Sequence, residues 1–115
     1  MTDIQQLRKG STPLLILALL AESKQHGYAI MRALEARSDG YFKMTAALLY
    51  PALHQMEKEG LLTSAWEPSA GQRKRRVYAI TPQGLEQLAS AQAEWRRFFD
   101  HLFKTLGGPH INIYE

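Results

Sequence analysis

The chain has 115 residues, 45% of them hydrophobic and 22% charged, with a net charge of +3. That is the size of one domain with one extended appendage at most, and so short a chain buries only about two-thirds of its unfolded surface, which makes self-association an expected source of stability. Cysteine is absent, which excludes disulfides, thiolate zinc sites and cysteine nucleophiles.

Near the start, Arg8 and Lys9 precede the apolar run of residues 14–20, which superficially resembles a signal peptide. The run is too short for a bilayer, which needs about 20 apolar residues. Ser11 or Thr12 before Pro13 is helix-cap chemistry. The reading is therefore a buried helix over residues 13–21. Its Leu14, Leu15, Ile16, Leu17, Leu19 and Leu20 are apolar nearly all round, as a central core helix requires. Lacking cysteines and an anchor, the chain is expected to be cytoplasmic.

His26-Gly27 breaks the pattern, and a second helix is expected over residues 28–37, burying Ile30, Ala33 and Leu34. Ser38-Asp39-Gly40 ends it with turn residues. Tyr41-Phe42-Lys43-Met44 bridges to a third helix, for which Thr45 is the N-cap. The inward stripe there is Leu49, Leu53 and Met56, and Gly60 supplies a left-handed terminator. Pro51 is expected near the start of this helix, in a tight or slightly distorted opening turn.

Two strands, residues 62–66 and 77–80, follow, joined by Glu67-Pro68-Ser69-Ala70-Gly71 and the basic run Arg73, Lys74, Arg75 and Arg76. Residues 61–84 hold four basic and one acidic side chain, whereas residues 1–60 hold seven and six, and residues 85–115 three and four. The surplus positive charge thus lies in the hairpin, like an electrostatic footprint on a polyanion. A charged tip that protects a sheet edge is the blander reading.

Thr81-Pro82 opens the last helix. Leu85, Leu88, Gln92, Trp95, Phe99, Leu102 and Leu106 recur along it at alternating spacings of 3 and 4, a heptad seam that favours helices wrapping around each other. Phe98 and Phe103 widen the apolar face. On a helix of about 35 Å this face exceeds what a small core can cover, so a homodimer interface is expected. Gly107-Gly108-Pro109 stops the helix.

The architecture is mainly α with a small β-hairpin, a winged helix-turn-helix plus a long C-terminal dimerisation helix. Residues 1–81 form the DNA-binding domain, residues 82–107 the dimerisation helix and residues 108–115 a flexible tail.

In such a fold the third helix enters the major groove. Its outward positions are Ala47, Leu48, Pro51, His54, Gln55 and Lys58. Gln55 can make a bidentate contact to adenine, His54 can donate to base or phosphate, and Lys58 can pair with phosphate. Thr45 and the helix N-terminus offer N–H groups to a phosphate. The basic run can straddle the backbone or enter the minor groove.

Catalysis finds no support. Histidines 26, 54, 101 and 110 show no metal-ligand spacing, and Glu57 and Glu59 lie on different helix faces. A nucleophile elbow and a phosphate-cradling glycine loop are both lacking. No enzyme activity, metal or cofactor is expected.

Lys9-Gly10-Ser11, His26-Gly27-Tyr28, Leu49-Tyr50-Pro51-Ala52-Leu53-His54, Glu57-Lys58-Glu59-Gly60-Leu61 and Tyr78-Ala79-Ile80-Thr81-Pro82-Gln83-Gly84 together resemble the PadR family of bacterial transcriptional regulators. The resemblance spans residues 7 to about 100 and is closest to the small subfamily with a single C-terminal helix. It implies a winged helix-turn-helix, a dimer built by that helix, and repression of a nearby promoter. By the same resemblance, Tyr50, Pro51 and His54 lie where the family touches DNA, Lys9 meets phosphate, and Arg73, Lys74, Arg75 and Arg76 form the basic wing. Leu48 departs from the small or hydroxyl residue usual before Leu-Tyr-Pro, which implies a different operator. Some small members bind flat aromatic compounds at the dimer interface, which makes Trp95, Phe98 and Phe99 candidate effector contacts.

The leading expectation is a homodimeric DNA-binding repressor reading a pseudo-palindromic duplex, with a planar aromatic effector as an added partner and no membrane. The alternative is a winged-helix module that uses the last helix to bind a protein partner. Salt separates them, because DNA binding weakens linearly in log salt.

Overall fold

A computed structural model describes residues 3–68 and 73–107. The expected tail of residues 108–115 and the centre of the hairpin turn, residues 69–72, lie outside the described residues.

Helix α1 (Asp3–Glu22) begins ten residues before the expected start, and Pro13 lies inside it. Ser11 and Thr12 do not cap it. Their hydroxyls donate back to the Arg8 carbonyl at 2.8 and 3.4 Å. Pro13 removes one ladder hydrogen bond, which local chemistry alone would make a stop. Packing of α1 along the last helix carries the helix through instead, with Leu7 beside Trp95 and Phe98.

Strand β1 (Gln25–His26) follows and runs straight into α2 (Gly27–Arg37). Helix α3 (Ala46–Lys58) starts at Thr45, whose hydroxyl accepts the Leu48 N–H at 3.3 Å. Pro51 is the sixth residue of α3, beyond the first turn, so the expected distorted opening gives way to a missing internal bond. Exposure of Pro51 and Ala47 leaves the orphaned carbonyl on the solvent side. At the far end Gly60 takes φ +83°, with Leu61 N–H bonding Met56 O at 2.9 Å and Gly60 N–H bonding Glu57 O at 3.0 Å. This double closure is the Schellman pattern.

Strands β2 (Leu62–Pro68) and β3 (Lys74–Ile80) are longer than expected, so Lys74, Arg75 and Arg76 lie within a strand rather than in a loop. The sheet has three antiparallel strands in the order β1-β3-β2, not two. β1 is only two residues long and carries no readable alternation.

Helix α4 (Pro82–Leu106) has Pro82 in its first turn, and Thr81 Oγ1 accepts the Gly84 N–H at 3.0 Å. Gly84 is required here, since a Cβ would lie 2.3 Å from the Leu61 carbonyl oxygen. Gly107, at φ +99°, closes the helix.

The core joins Ile16, Leu17, Leu19 and Leu20 of α1, Ile30 and Leu34 of α2, and Leu49, Leu53 and Met56 of α3. Leu62, Tyr78 and Leu88 complete it. The stripe read from α3 is therefore its buried face. No helix among the described residues is long and apolar enough to cross a membrane.

Candidate nucleic-acid interface

Burying Leu49, Leu53 and Met56 turns the opposite side of α3 outward, leaving Leu48, Pro51, His54, Gln55 and Lys58 exposed. Leu48 is 58% exposed, a large apolar side chain with no intramolecular reason to face water. Gln55 Nε2 donates to Glu59 Oε2 at 2.9 Å, which holds the amide on the outer face. Tyr50 is half-buried, and its ring covers Gly27 at the start of α2. Thr45 is exposed but spends its oxygen on the helix cap.

The wing, β2 and β3, rises beside this helix. Between them runs a cleft of about 590 Å³, with Tyr28, Tyr50 and His54 on the helical side and Trp66, Arg73, Lys74, Arg75 and Arg76 on the wing. All four cations of the basic run line it. They are not equivalent. Arg73 and Lys74 are exposed, and Arg75 Nη1 donates to His26 Nε2 at 3.0 Å. Arg76 is half-buried: its Nε donates to Ser64 Oγ of β2 at 2.9 Å, and its Nη2 lies 3.9 Å from Glu57 Oε1 of α3.

The electrostatics follow the geometry. Burial, and then the Arg75 charge, push the His26 imidazole below its ordinary range, so it stands neutral and can accept from Arg75. Burial raises the Tyr78 phenol, with Arg76 nearby acting in the opposite direction. Lys24 Nζ reaches Glu67 Oε2 at 2.8 Å and ties the α1–β1 connection to the wing.

Lys9 of α1 and Thr45, Leu48, Pro51, Gln55 and Lys58 are exposed and do not line the cleft. Sequence reasoning also missed Tyr28, His26 and Trp66 as cleft residues. His26 and Tyr28 stood in the His26-Gly27-Tyr28 motif without an assigned role, and Trp66, an aromatic in a strand otherwise written mostly in small and polar residues, is 61% exposed. Tyr28, also exposed, lies under the guanidinium of Arg32 at 5.6 Å.

A second surface lies on α4. Leu88 belongs to the chain's own core, whereas Leu85, Gln92 and Leu106 are exposed, and Trp95, Phe99 and Leu102 are half-buried. Phe98 and Phe103 are exposed as well. The rings form a row, with centroids 5.5 Å apart for Trp95 and Phe99, 5.3 Å for Phe98 and Phe99, and 6.2 Å for Phe99 and Phe103. A shallow hollow of about 280 Å³ opens between Leu7, Glu94, Trp95 and Phe98. No group of three or more potential metal ligands occurs among the described residues.

The fold recurs in known transcriptional regulators. Residues 16–90 match the model of the transcriptional regulator PadR-like family. A transcriptional regulator of Mycobacterium tuberculosis is 32% identical over 106 residues, covering 91% of this chain and 92% of that protein. A transcriptional regulator from Clostridium thermocellum superposes with a TM-score of 0.78 at 26% identity, covering 90% of this chain and 95% of the other. A PadR family regulator from Eggerthella lenta gives 0.74 at 33% identity, covering 90% and 84%.

Proposed function

Because this chain belongs to the PadR-like transcriptional regulator family, we propose that it is a homodimeric repressor whose α3 helices read the two halves of a pseudo-palindromic operator. That it is a DNA-binding transcriptional regulator follows from the family, whose members are not enzymes. The finer reading rests on one observation. Tyr50 and His54 of α3, with Tyr28 of α2, and the cationic wing form two walls of a single cleft, and the exposed face of α3 continues outward from His54. A duplex backbone fits between such walls when the helix lies in the major groove.

In this reading His54, Gln55 and Leu48 meet base edges, while Lys58, Arg73, Lys74 and Arg75 hold phosphates. Pro51 and Tyr50 shape the surface between them, and Thr45 and Lys9 flank it. Leu48 offers a thymine methyl an apolar contact and no hydrogen bond.

The aromatic row on α4 supports self-association. Large apolar side chains exposed in a row are what a helix shows when its partner is a second copy. Pairing through α4 sets two recognition helices about 34 Å apart, one turn of the duplex. The hollow at Trp95 and Phe98 suits a planar aromatic effector stacked on those rings, and Glu94 at its edge favours a cationic one. Such an effector acts by its different affinity for the DNA-competent and incompetent spacings. The reading places the protein in the cytoplasm with its operator.

Selecting bound duplexes from a random pool tests the proposal. A palindromic consensus with half-sites one turn apart is expected, and Leu48→Ser should alter the preferred base at one position of each half-site. Recovery of no consensus, together with salt-independent binding, would leave the protein-interaction module as the better account.

A further inference from the structure

The face of the wing that looks onto α3 is set by strand register. Ser64 pairs with Tyr78 and Trp66 with Arg76 across the β2–β3 ladder, so all four side chains share one face. Glu57 of α3 stands over that face. Ser64 Oγ donates to Glu57 Oε2 at 2.8 Å and accepts from Arg76 Nε at 2.9 Å. Arg76 Nη2 lies 3.9 Å from Glu57 Oε1, and the guanidinium sits 5.5 Å from the Trp66 ring centroid. One hydroxyl thus serves as donor and acceptor in a chain running from the recognition helix to the wing.

We propose that Arg76 is a positioning residue, which through Ser64 and Glu57 fixes the angle between α3 and the wing instead of pairing with a DNA phosphate. The inference rests on the reading of the cleft as a DNA seat. Arg76 is half-buried where Lys74 and Arg75 are exposed, and its guanidinium has a hydroxyl, a carboxylate and a ring around it. It also cancels a charge. Glu57 belongs to the helix that approaches the phosphates, and an unpaired carboxylate there would repel the duplex. Held by Arg76, the pair adds no net charge to the cleft, and the cleft keeps the width that a backbone strand requires.

The number of phosphates neutralised can be read directly, because each one contributes about 0.9 to the slope of log affinity against log salt. The experiment uses the full chain and a labelled duplex recovered from the random pool, titrated at several salt concentrations. Arg76→Gln combined with Glu57→Gln, which removes both charges of the pair, is expected to weaken binding several-fold at each salt concentration with the slope unchanged. Arg76→Lys alone should also weaken binding, because a lysine lacks the fork that reaches Ser64 and Glu57 together. Ser64→Ala, which removes only the bridging hydroxyl, should reproduce the weakening in milder form. Glu57→Gln should steepen the slope by about 0.9 per protomer, as the released guanidinium becomes available to a phosphate.

The proposal is overturned if the Arg76→Gln, Glu57→Gln double variant flattens the slope by about 0.9 per protomer. It is equally overturned if that double variant and Ser64→Ala both bind as tightly as the parent. Should the parent bind duplex without salt dependence, the DNA reading itself fails, which is a separate outcome. Circular dichroism and sedimentation of each variant show that fold and assembly are intact.

Discussion

The phenol of Tyr50 occupies the space that a side chain on Gly27 would need. A Cβ at Gly27 would fall 2.2 Å from the Tyr50 hydroxyl oxygen and 2.8 Å from the ring carbon Cε1. The first turn of α2 and the middle of α3 are therefore in contact through a glycine and a tyrosine, and the floor of the cleft is built from that contact.

Gly27→Ala must displace the Tyr50 ring, and overpacking of this kind costs about 1–3 kcal/mol. The loss should shrink when Tyr50 is also replaced by Leu, because the two sites share one space. Urea denaturation of the two single variants and the double variant measures the coupling. Additive losses would show that the ring does not depend on the glycine.

Two other glycines should behave in opposite ways. Gly84→Ala drives a methyl toward the Leu61 carbonyl, which as backbone cannot swing aside, and the loss should be about 3 kcal/mol or more. Gly10, within α1, has nothing within 4 Å of an added Cβ. Gly10→Ala should therefore stabilise by about 0.5–1 kcal/mol through helix propensity. Thermal midpoints of the two variants should move in opposite directions.

His26 gives stability a pH dependence. Its folded-state pKa lies below the unfolded value, so the unfolded chain binds the proton more readily. The neutral ring's contribution is present above about pH 6.5 and is lost as pH falls toward the lowered folded value. His26→Gln should flatten this part of the stability profile, measured by denaturation between neutral and mildly acidic pH. An unchanged slope would mean that in solution neither burial nor the Arg75 charge lowers the His26 imidazole.

Phe98 is 51% exposed on α4, so Phe98→Glu removes little from the chain's own core. If α4 pairs with a second copy, the variant should sediment as a monomer at concentrations where the parent is a dimer. Its helical circular dichroism should be retained. DNA affinity should fall steeply, since a lone half-site contact forfeits the gain from two linked ones.

Much of this organisation was legible because helix ends have local chemistry. Thr45, Gly60, Thr81-Pro82 and Gly107 act through neighbours a few residues away, and the buried stripe of α3 repeats at the helical period. What stayed hidden depends on distant partners. The first ten residues of α1 are helical because Leu7 meets α4, against the local stop at Pro13. β1 exists because β3 lies beside it, and two residues cannot announce a strand. The candidate interface divides likewise. A run of four cations is visible as charge, but only the fold brings Arg76 to Ser64 and Arg75 to His26 and leaves Lys74 exposed.

Thr81 sits where α3, the wing and α4 meet. Its hydroxyl caps α4 and reaches the Gly60 and Leu61 carbonyls at 2.7 and 3.0 Å, and its N–H bonds Leu61 O at 3.0 Å. Gln83 adds a bond to the Glu59 carbonyl at 3.3 Å. The joint is welded rather than hinged. In the proposed dimer the molecule works as a pair of callipers, with the crossed α4 helices as pivot and the α3 helices as jaws. Along a 25-residue arm, a tilt of about 5° at one end displaces the other by about 3 Å. A ligand wedged beside Trp95 need shift α4 no further than that to take the jaws off the pitch of the duplex.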